Sequence, residues 1–303
     1  MNILGVLPHP DFGPWELGPL EIHSFGVTIA VGLLLVLIFS GRRGRRTMGV
    51  EEERVHNFAI WIVIFSWCFS HVFAVLFYSP DELLHDPLIL FKVWGEISSV
   101  GGMLGGAIAL LIWMKRNPNE DHLAWADVTM WALPIGFLFG RIGCTFAYDH
   151  PGQEAADFGL WNWVYEVSGG AVAEVFPLAM EFPERWGGGI RHNLGFYEAI
   201  IWAGIVVVFV ILGRKPRRRG LYLWLLPLIY GPLRFFLDFL RAHPGEVSFG
   251  GDPRYLGLTP AQYTSLAFIA LGIYGWTKLK DNPVQKWAIH GDSDEAKSEN
   301  TKD

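Results

Sequence analysis

Cysteine and charge are both scarce in these 303 residues, and each scarcity removes a class of protein. Only Cys68 and Cys144 are present, so neither a disulfide framework nor a zinc site is expected. Both thiols lie in apolar runs and read as buried and inert. Charged residues make up 18% of the chain against 51% hydrophobic and 15% aromatic, with 14 tryptophans, a balance unlike that of a soluble domain of this size. No period typical of a repeat protein is present. No basic leader with a small-residue cleavage site precedes the first apolar run, which therefore reads as a retained helix. The net charge of −6 carries little by itself, and no nucleic acid, metal or cofactor is expected as a partner.

What is present is a series of apolar runs near 25–40, 57–78, 99–114, 124–146, 196–212, 221–240 and 258–277, each long enough to cross a bilayer once tilt and flanking residues are allowed for. The fold class expected is all-α, a polytopic membrane protein with seven transmembrane helices. Arg42, Arg43, Arg45 and Arg46 follow the first run, Lys115 and Arg116 the third, Arg214, Lys215, Arg217, Arg218 and Arg219 the fifth, and Lys278 and Lys280 the seventh. Cations on alternate loops place those loops in the cytoplasm, the N-terminus outside and the C-terminus inside. The loops 79–98, 147–195 and 241–257 then face outward. One membrane domain, residues 1–280, is expected to carry the insertion 147–195 between its fourth and fifth helices. A polar tail, 281–303, is expected to be disordered.

Two arginines stand inside these runs: Arg141 in GFLFGRIGC and Arg234 in YGPLRFFLD. A guanidinium in a bilayer costs at least a few kcal/mol and is rarely kept without a partner, so two on separate helices suggest a shared anion. Arg141 lies roughly 25 Å along its helix and Arg234 roughly 20 Å along its own, counted from the cytoplasmic ends at 1.5 Å per residue. Both therefore fall in the outer half of the membrane. Tyr230, Arg234 and Asp238 share a helix face, with Arg241 one turn on, which is also the spacing of an internally satisfied ion pair. Asp149 and His150 bring a carboxylate and an imidazole to the outer boundary. His71, in the second run, can bond an arginine or a backbone carbonyl. Gly101, Gly102, Gly105 and Gly106 form a small-residue face that serves either helix packing or a ligand; it is not a dinucleotide fingerprint, since no strand precedes it.

In order, FKVWGEISSVGGMLGG, GRIGCTFAYDHPG, RHNLGFYEA, YGPLRFFLDFLR and GLTPAQYTSLAFIALGIY resemble the prolipoprotein diacylglyceryl transferases, as does the opening LGPLEIHSFG. The resemblance implies a seven-helix enzyme of the bacterial inner membrane. It would move the diacylglyceryl group of phosphatidylglycerol to the lipobox cysteine of a prolipoprotein signal peptide, releasing glycerol phosphate. It also implies a phosphatidylglycerol site formed by Arg141, Arg234, Tyr230, Gly101, Gly102, His192, Tyr197 and Glu198, and places His23 in the first motif. The chain departs from the family pattern at several positions. Val100 replaces a histidine before the glycine pair, Cys144 and Ala147 stand at or near asparagine positions, Asp149 replaces a glutamate, and Phe25 replaces a tyrosine.

The chemistry can be argued from the residues themselves. A thiol attacking a glyceryl carbon needs the departing phosphate held, and two arginines supply multidentate donors that stay charged at any relevant pH. A free thiol with a pKa near 8.5 needs only modest activation. With Val100 unable to accept a proton, His150 and Asp149 are the first candidates for base work, followed by His192 and Glu198. The catalytic set expected is Arg141, Arg234, His150 and Asp149. A lipid-binding relative with lost or altered transfer would keep the arginines. A transporter would need a polar path through the inner halves of the runs, which are almost wholly apolar.

Overall fold

A computed structural model describes residues 7, 12–18, 20–93, 95, 97–157, 159–169, 176–243, 245–247, 254–285 and 287–288. Among them the long helices are α1 (Ser24–Met48), α2 (Glu52–Tyr78), α4 (Ser99–Arg116), α5 (His122–Ala147), α7 (Leu194–Leu212), α8 (Leu221–Leu237) and α9 (Pro260–Leu279), with short α3 (Pro80–His85) and α6 (Gly159–Val167) between them. Apolar runs become helices because a helix satisfies every backbone N–H and C=O within itself, the condition a bilayer imposes. Among the described residues five helices, α1, α2, α5, α7 and α8, are long and apolar enough to cross a membrane. Their outward faces are apolar: Leu34, Ile64, Val207 and Phe236 are 57%, 55%, 57% and 69% exposed. The chain is a mostly helical, polytopic membrane protein.

Two expectations change in detail. The first helix does not stop near residue 40 but runs on to Met48, through Arg42, Arg43, Arg45 and Arg46. Arginine is a good helix former, and cations are favoured in a helix's last turn. Cys68, expected to be buried, is exposed on the same flank of α2 as Ile64 and Trp67, whereas Cys144 is buried.

The chain divides into two compact units, 1–36 with 130–285 and 37–129 with 286–303. In the second, α2 packs along α4, and the glycine face is what permits it. A Cβ on Gly101 would lie 2.5 Å from the Phe73 Cβ, and one on Gly105 would lie 2.5 Å from the Phe69 Cβ. Of the two uses for these glycines, helix packing is the one seen. The side chain of Val100 is outside the described ones. His71 Nε2 bonds the Ile89 carbonyl at 2.9 Å, a carbonyl rather than an arginine. Val55, Phe58, Trp125 and Val128 form this unit's core.

In the first unit Trp202, Ile205, Phe209, Tyr222 and Leu226 join α7 to α8, and Phe137 of α5 stacks on Trp202 with ring centroids 4.7 Å apart. The segment between α5 and α7 is not helical throughout. It holds strands β3 (Pro151–Glu154), β4 (Met180–Glu181) and β5 (Ile190–Asn193) in an antiparallel sheet ordered β3-β5-β4. Near the N-terminus β1 (Trp15–Leu17) pairs with β2 (Leu20–Ile22). These small sheets qualify the all-α expectation. Of the tail, Gln285 bonds Arg217 and Arg219, while residues 289–303 lie outside the described ones.

Candidate active site

The site is built by the way α5 ends. Tyr148 follows the helix with a φ of 56°, the left-handed conformation, which turns the chain sharply. For a side chain larger than glycine this costs roughly 1–2 kcal/mol. The ring is 1% exposed, edge-on to Phe182 at 4.9 Å, in a cluster with Met180 and Phe196. Burying such a ring contributes roughly 1.5–3 kcal/mol, enough to hold the turn. Asp149 and His150 are thereby folded back against Arg141.

β5 runs directly into α7, and Asn193 fastens that junction. Its Oδ1 accepts from the Phe196 N–H at 3.1 Å as the helix cap, and its Nδ2 donates to the Thr145 carbonyl of α5 at 3.2 Å. Gly195 lets the two helices touch, because a Cβ there would sit 3.0 Å from the backbone of Cys144 and Thr145. Glu198, one turn further, consequently faces Arg141.

Glu198 is 0% exposed and lies between the two arginines. Its Oε2 is 3.1 Å from Arg141 Nε and accepts from the Tyr230 hydroxyl at 2.7 Å, while its Oε1 is 3.5 Å from Arg234 Nη1. The shared anion expected from the sequence is thus present as the chain's own carboxylate. The contact with Arg234 is the loose one. Neither Glu198 Oε1 nor Arg234 Nη1 completes an aligned hydrogen bond among the described residues, though both are buried. Arg234 Nη1 also pairs with Asp238 Oδ1 at 2.8 Å, and Arg241 Nε donates to the same oxygen at 3.0 Å. The internal ion pair read from the spacing is therefore there too.

On the other side, Arg141 Nη1 is 2.6 Å from His150 Nε2, and His150 Nδ1 stands 2.8 Å from Asp149 Oδ1. A guanidinium only donates, so Nε2 accepts and a neutral His150 carries its proton on Nδ1, beside Asp149 but not aligned with Oδ1 as a hydrogen bond. Burial opposes ionisation of Asp149, but His150 and Arg141 outweigh it and hold the carboxyl below the ordinary range. Cys144, Asp149 and His150 each offer a donor atom within 4.8 Å of the others, a grouping compatible with a metal ion. Arg141 Nη1, also 3.8 Å from Cys144 Sγ, puts a fixed positive charge on that cluster, which suits an anion better than a cation.

Arg141, Glu198, Tyr230, Arg234, Asp149 and His150 are thus brought together. His192 and Tyr197 form a separate pair: His192 Nδ1 meets the Tyr197 hydroxyl at 2.9 Å, and that hydroxyl donates to the Leu178 carbonyl at 3.3 Å. Burial pushes His192 down to about 4. His23 is largely exposed, 4.0 Å from Glu21. Gly101 and Gly102 belong to the other unit.

The family model for prolipoprotein diacylglyceryl transferase matches residues 14–278. The chain belongs to this family. Among curated members, the phosphatidylglycerol–prolipoprotein diacylglyceryl transferase of Glaesserella parasuis is 32% identical over 276 residues, covering 88% of this chain and 92% of that protein. Proteins of the same name from Pseudoalteromonas atlantica and Stenotrophomonas maltophilia are 32% and 30% identical, over 87% and 89% of this chain and 88% and 92% of theirs. Three residues beside the site, Asn193, Thr259 and Gln262, were not singled out from the sequence. All are buried polar groups at helix starts, and the N-cap pattern before α7 and α9 was the available signal.

Proposed function

We propose that this chain transfers the diacylglyceryl group of phosphatidylglycerol to the lipobox cysteine of a prolipoprotein at the outer face of a bacterial inner membrane. In this reading α4 and α9 also cross, giving seven spans with the N-terminus outside. The observation that carries the proposal is the arginine pair from α5 and α8 converging on one buried carboxylate. Glu198 is wholly buried, yet Arg141 and Arg234 keep 13% and 11% of their side-chain surface accessible. A lipid phosphate reaches the arginines from that accessible side, and the loose Arg234–Glu198 contact is where an oxygen of it is taken in.

The substrate thiolate attacks the glyceryl carbon, a C–S bond forms, the C–O bond to phosphate breaks, and glycerol phosphate leaves. The arginines stabilise the charge that grows on the departing phosphate. Once that phosphate draws on Arg141, the Nε2 lone pair of His150 is released to take the thiol proton, with Asp149 orienting the ring. His192 and Tyr197 shape the surroundings in this reading and do not touch the reacting atoms, while Gly101 and Gly102 serve helix packing.

The test is transfer from labelled phosphatidylglycerol to a lipobox peptide, together with rescue of a strain depleted of its own transferase. Arg141→Ala and Arg234→Ala are expected to abolish transfer, and Lys at either position to restore little of it because it lacks the planar fork. Parental activity in either Ala variant, at matched protein abundance, removes that arginine from the mechanism.

A further inference from the structure

The carboxylate that holds Arg234 from behind is itself held by the residue that caps a different helix. Asp238 is 0% exposed, and its two oxygens have different partners. Oδ1 takes both guanidiniums, Arg234 at 2.8 Å and Arg241 at 3.0 Å, whereas Oδ2, among the described residues, takes the Thr259 hydroxyl. Thr259 is the N-cap of α9 and is also 0% exposed.

The cap fixes which way that hydroxyl points. Its oxygen accepts from the Gln262 N–H at 3.2 Å, and the Gln262 side chain returns the bond by accepting from the Thr259 N–H at 2.9 Å. One of the oxygen's lone pairs is used by the helix, and the single hydroxyl proton goes to Asp238. Gln262 Nε2 also donates to the Phe235 carbonyl at 3.2 Å, so the start of α9 is tied to the turn of α8 that carries Arg234.

We infer that Thr259 is a positioning residue for phosphatidylglycerol binding: it keeps one oxygen of Asp238 away from Arg234 and so leaves that guanidinium free to turn to the lipid phosphate. This rests on the proposed transferase reading. Without the hydroxyl, Oδ2 is a buried charge lacking a donor, and the guanidiniums already on the other oxygen, Arg234 and Arg241, are the donors it can turn to. A carboxylate gripping the guanidinium with both oxygens competes with the phosphate for the same N–H groups. The loss falls on binding more than on turnover, since Thr259 touches neither the thiol nor the leaving group.

Thr259→Val is the direct test, measured as KM and kcat for phosphatidylglycerol and as the rise in melting temperature that this lipid gives the purified protein relative to phosphatidylethanolamine. Losing a hydrogen bond to a charged group is expected to raise KM about tenfold or more, with kcat within about twofold, and to shrink the lipid-dependent rise. Thr259→Ser keeps both cap and donor and is expected to restore parental values. Thr259→Ala repeats the test with a smaller substitution should Val prevent folding. In an Arg234→Lys background, Thr259→Val is expected to change the lipid-dependent rise no further, because its effect passes through the guanidinium.

A parental KM in both Val and Ala variants, or a Ser variant as impaired as Val, makes Thr259 a helix cap only and overturns the inference. If the parent transfers nothing, the transferase reading fails by itself. The melting measurement then decides whether Thr259 governs lipid binding.

Discussion

Replacing Glu198 by glutamine removes one negative charge from between two guanidiniums while keeping the side chain's shape, and it separates the counter-ion from every other feature of the site. In the parent the carboxylate meets Arg141 at 3.1 Å, Arg234 at 3.5 Å and the Tyr230 hydroxyl at 2.7 Å, with no exposed surface. Two unit charges at such distances attract by about 4 kcal/mol each at an effective dielectric near 20. Desolvation offsets part of that. Breaking a buried pair by removing one partner costs about 3–5 kcal/mol, and the low end applies because the glutamine oxygen still accepts hydrogen bonds. At roughly 2–4 °C per kcal/mol, the purified variant is expected to melt roughly 10 °C below the parent by tryptophan fluorescence. Phosphatidylglycerol is expected to recover more of that loss than it adds to the parent, because its phosphate restores the missing anion. A variant that melts within about 2 °C of the parent, with and without lipid, refutes Glu198 as the shared counter-ion.

If His150 takes the thiol proton, His150→Ala depresses transfer most at pH below the thiol's pKa and is partly relieved as thiolate forms unaided, whereas a loss uniform across pH assigns His150 to the turn before Pro151. Burial holds His192 at about 4 against an ordinary 6.5, so the unfolded chain takes up the proton first. Stability is then lost as pH falls from about 6.5 toward about 4, by about 3 kcal/mol at completion, and His192→Phe is expected to flatten that acid limb of the melting temperature. Reporter fusions after Arg46, Arg116, Arg219 and Lys280 are expected to be cytoplasmic and those within 80–95 and 155–190 external; an external reporter at Arg219 overturns the span order.

Much of this architecture is legible in the chain because a membrane helix is the least ambiguous message a sequence can carry. Helices stand at all seven apolar runs, and the spacing of Tyr230, Arg234 and Asp238 gave a shared face that the ion pair at 2.8 Å bears out. What resisted reading was set by backbone geometry. β5 is IRHN, four residues without alternation, and its pairing with β3 depends on a turn made by a left-handed tyrosine for which no sequence signal exists. Asp149 and His150 were visible as a pair at a helix end, but their return onto Arg141 follows from that same turn. The arginines' need for an anion was readable; that Glu198 supplies it was not, because this depends on how closely α7 approaches α5. Gly195, three residues earlier in LGFYE, is the residue that permits the approach.

The charges at the site alternate along one connected path: Asp149 with His150, His150 with Arg141, Arg141 with Glu198, Glu198 with Arg234, and Arg234 with Asp238, which also binds Arg241. Among the described residues three guanidiniums stand against three carboxylates, so this network is balanced before any lipid arrives. On the proposed reading this changes what the arginines do. They do not draw phosphate in by surplus charge; the phosphate must exchange for contacts the arginines already have, and the loose 3.5 Å pair between Arg234 and Glu198 is where exchange costs least. The same neutrality acts on the product. When the C–O bond breaks, glycerol phosphate carries a second negative charge, and a site whose cations are all internally matched holds that dianion less tightly than a bare arginine pair would. On that reading Glu198 acts on turnover from both ends, standing in for the phosphate while the site is at rest and reclaiming the arginines as the product leaves.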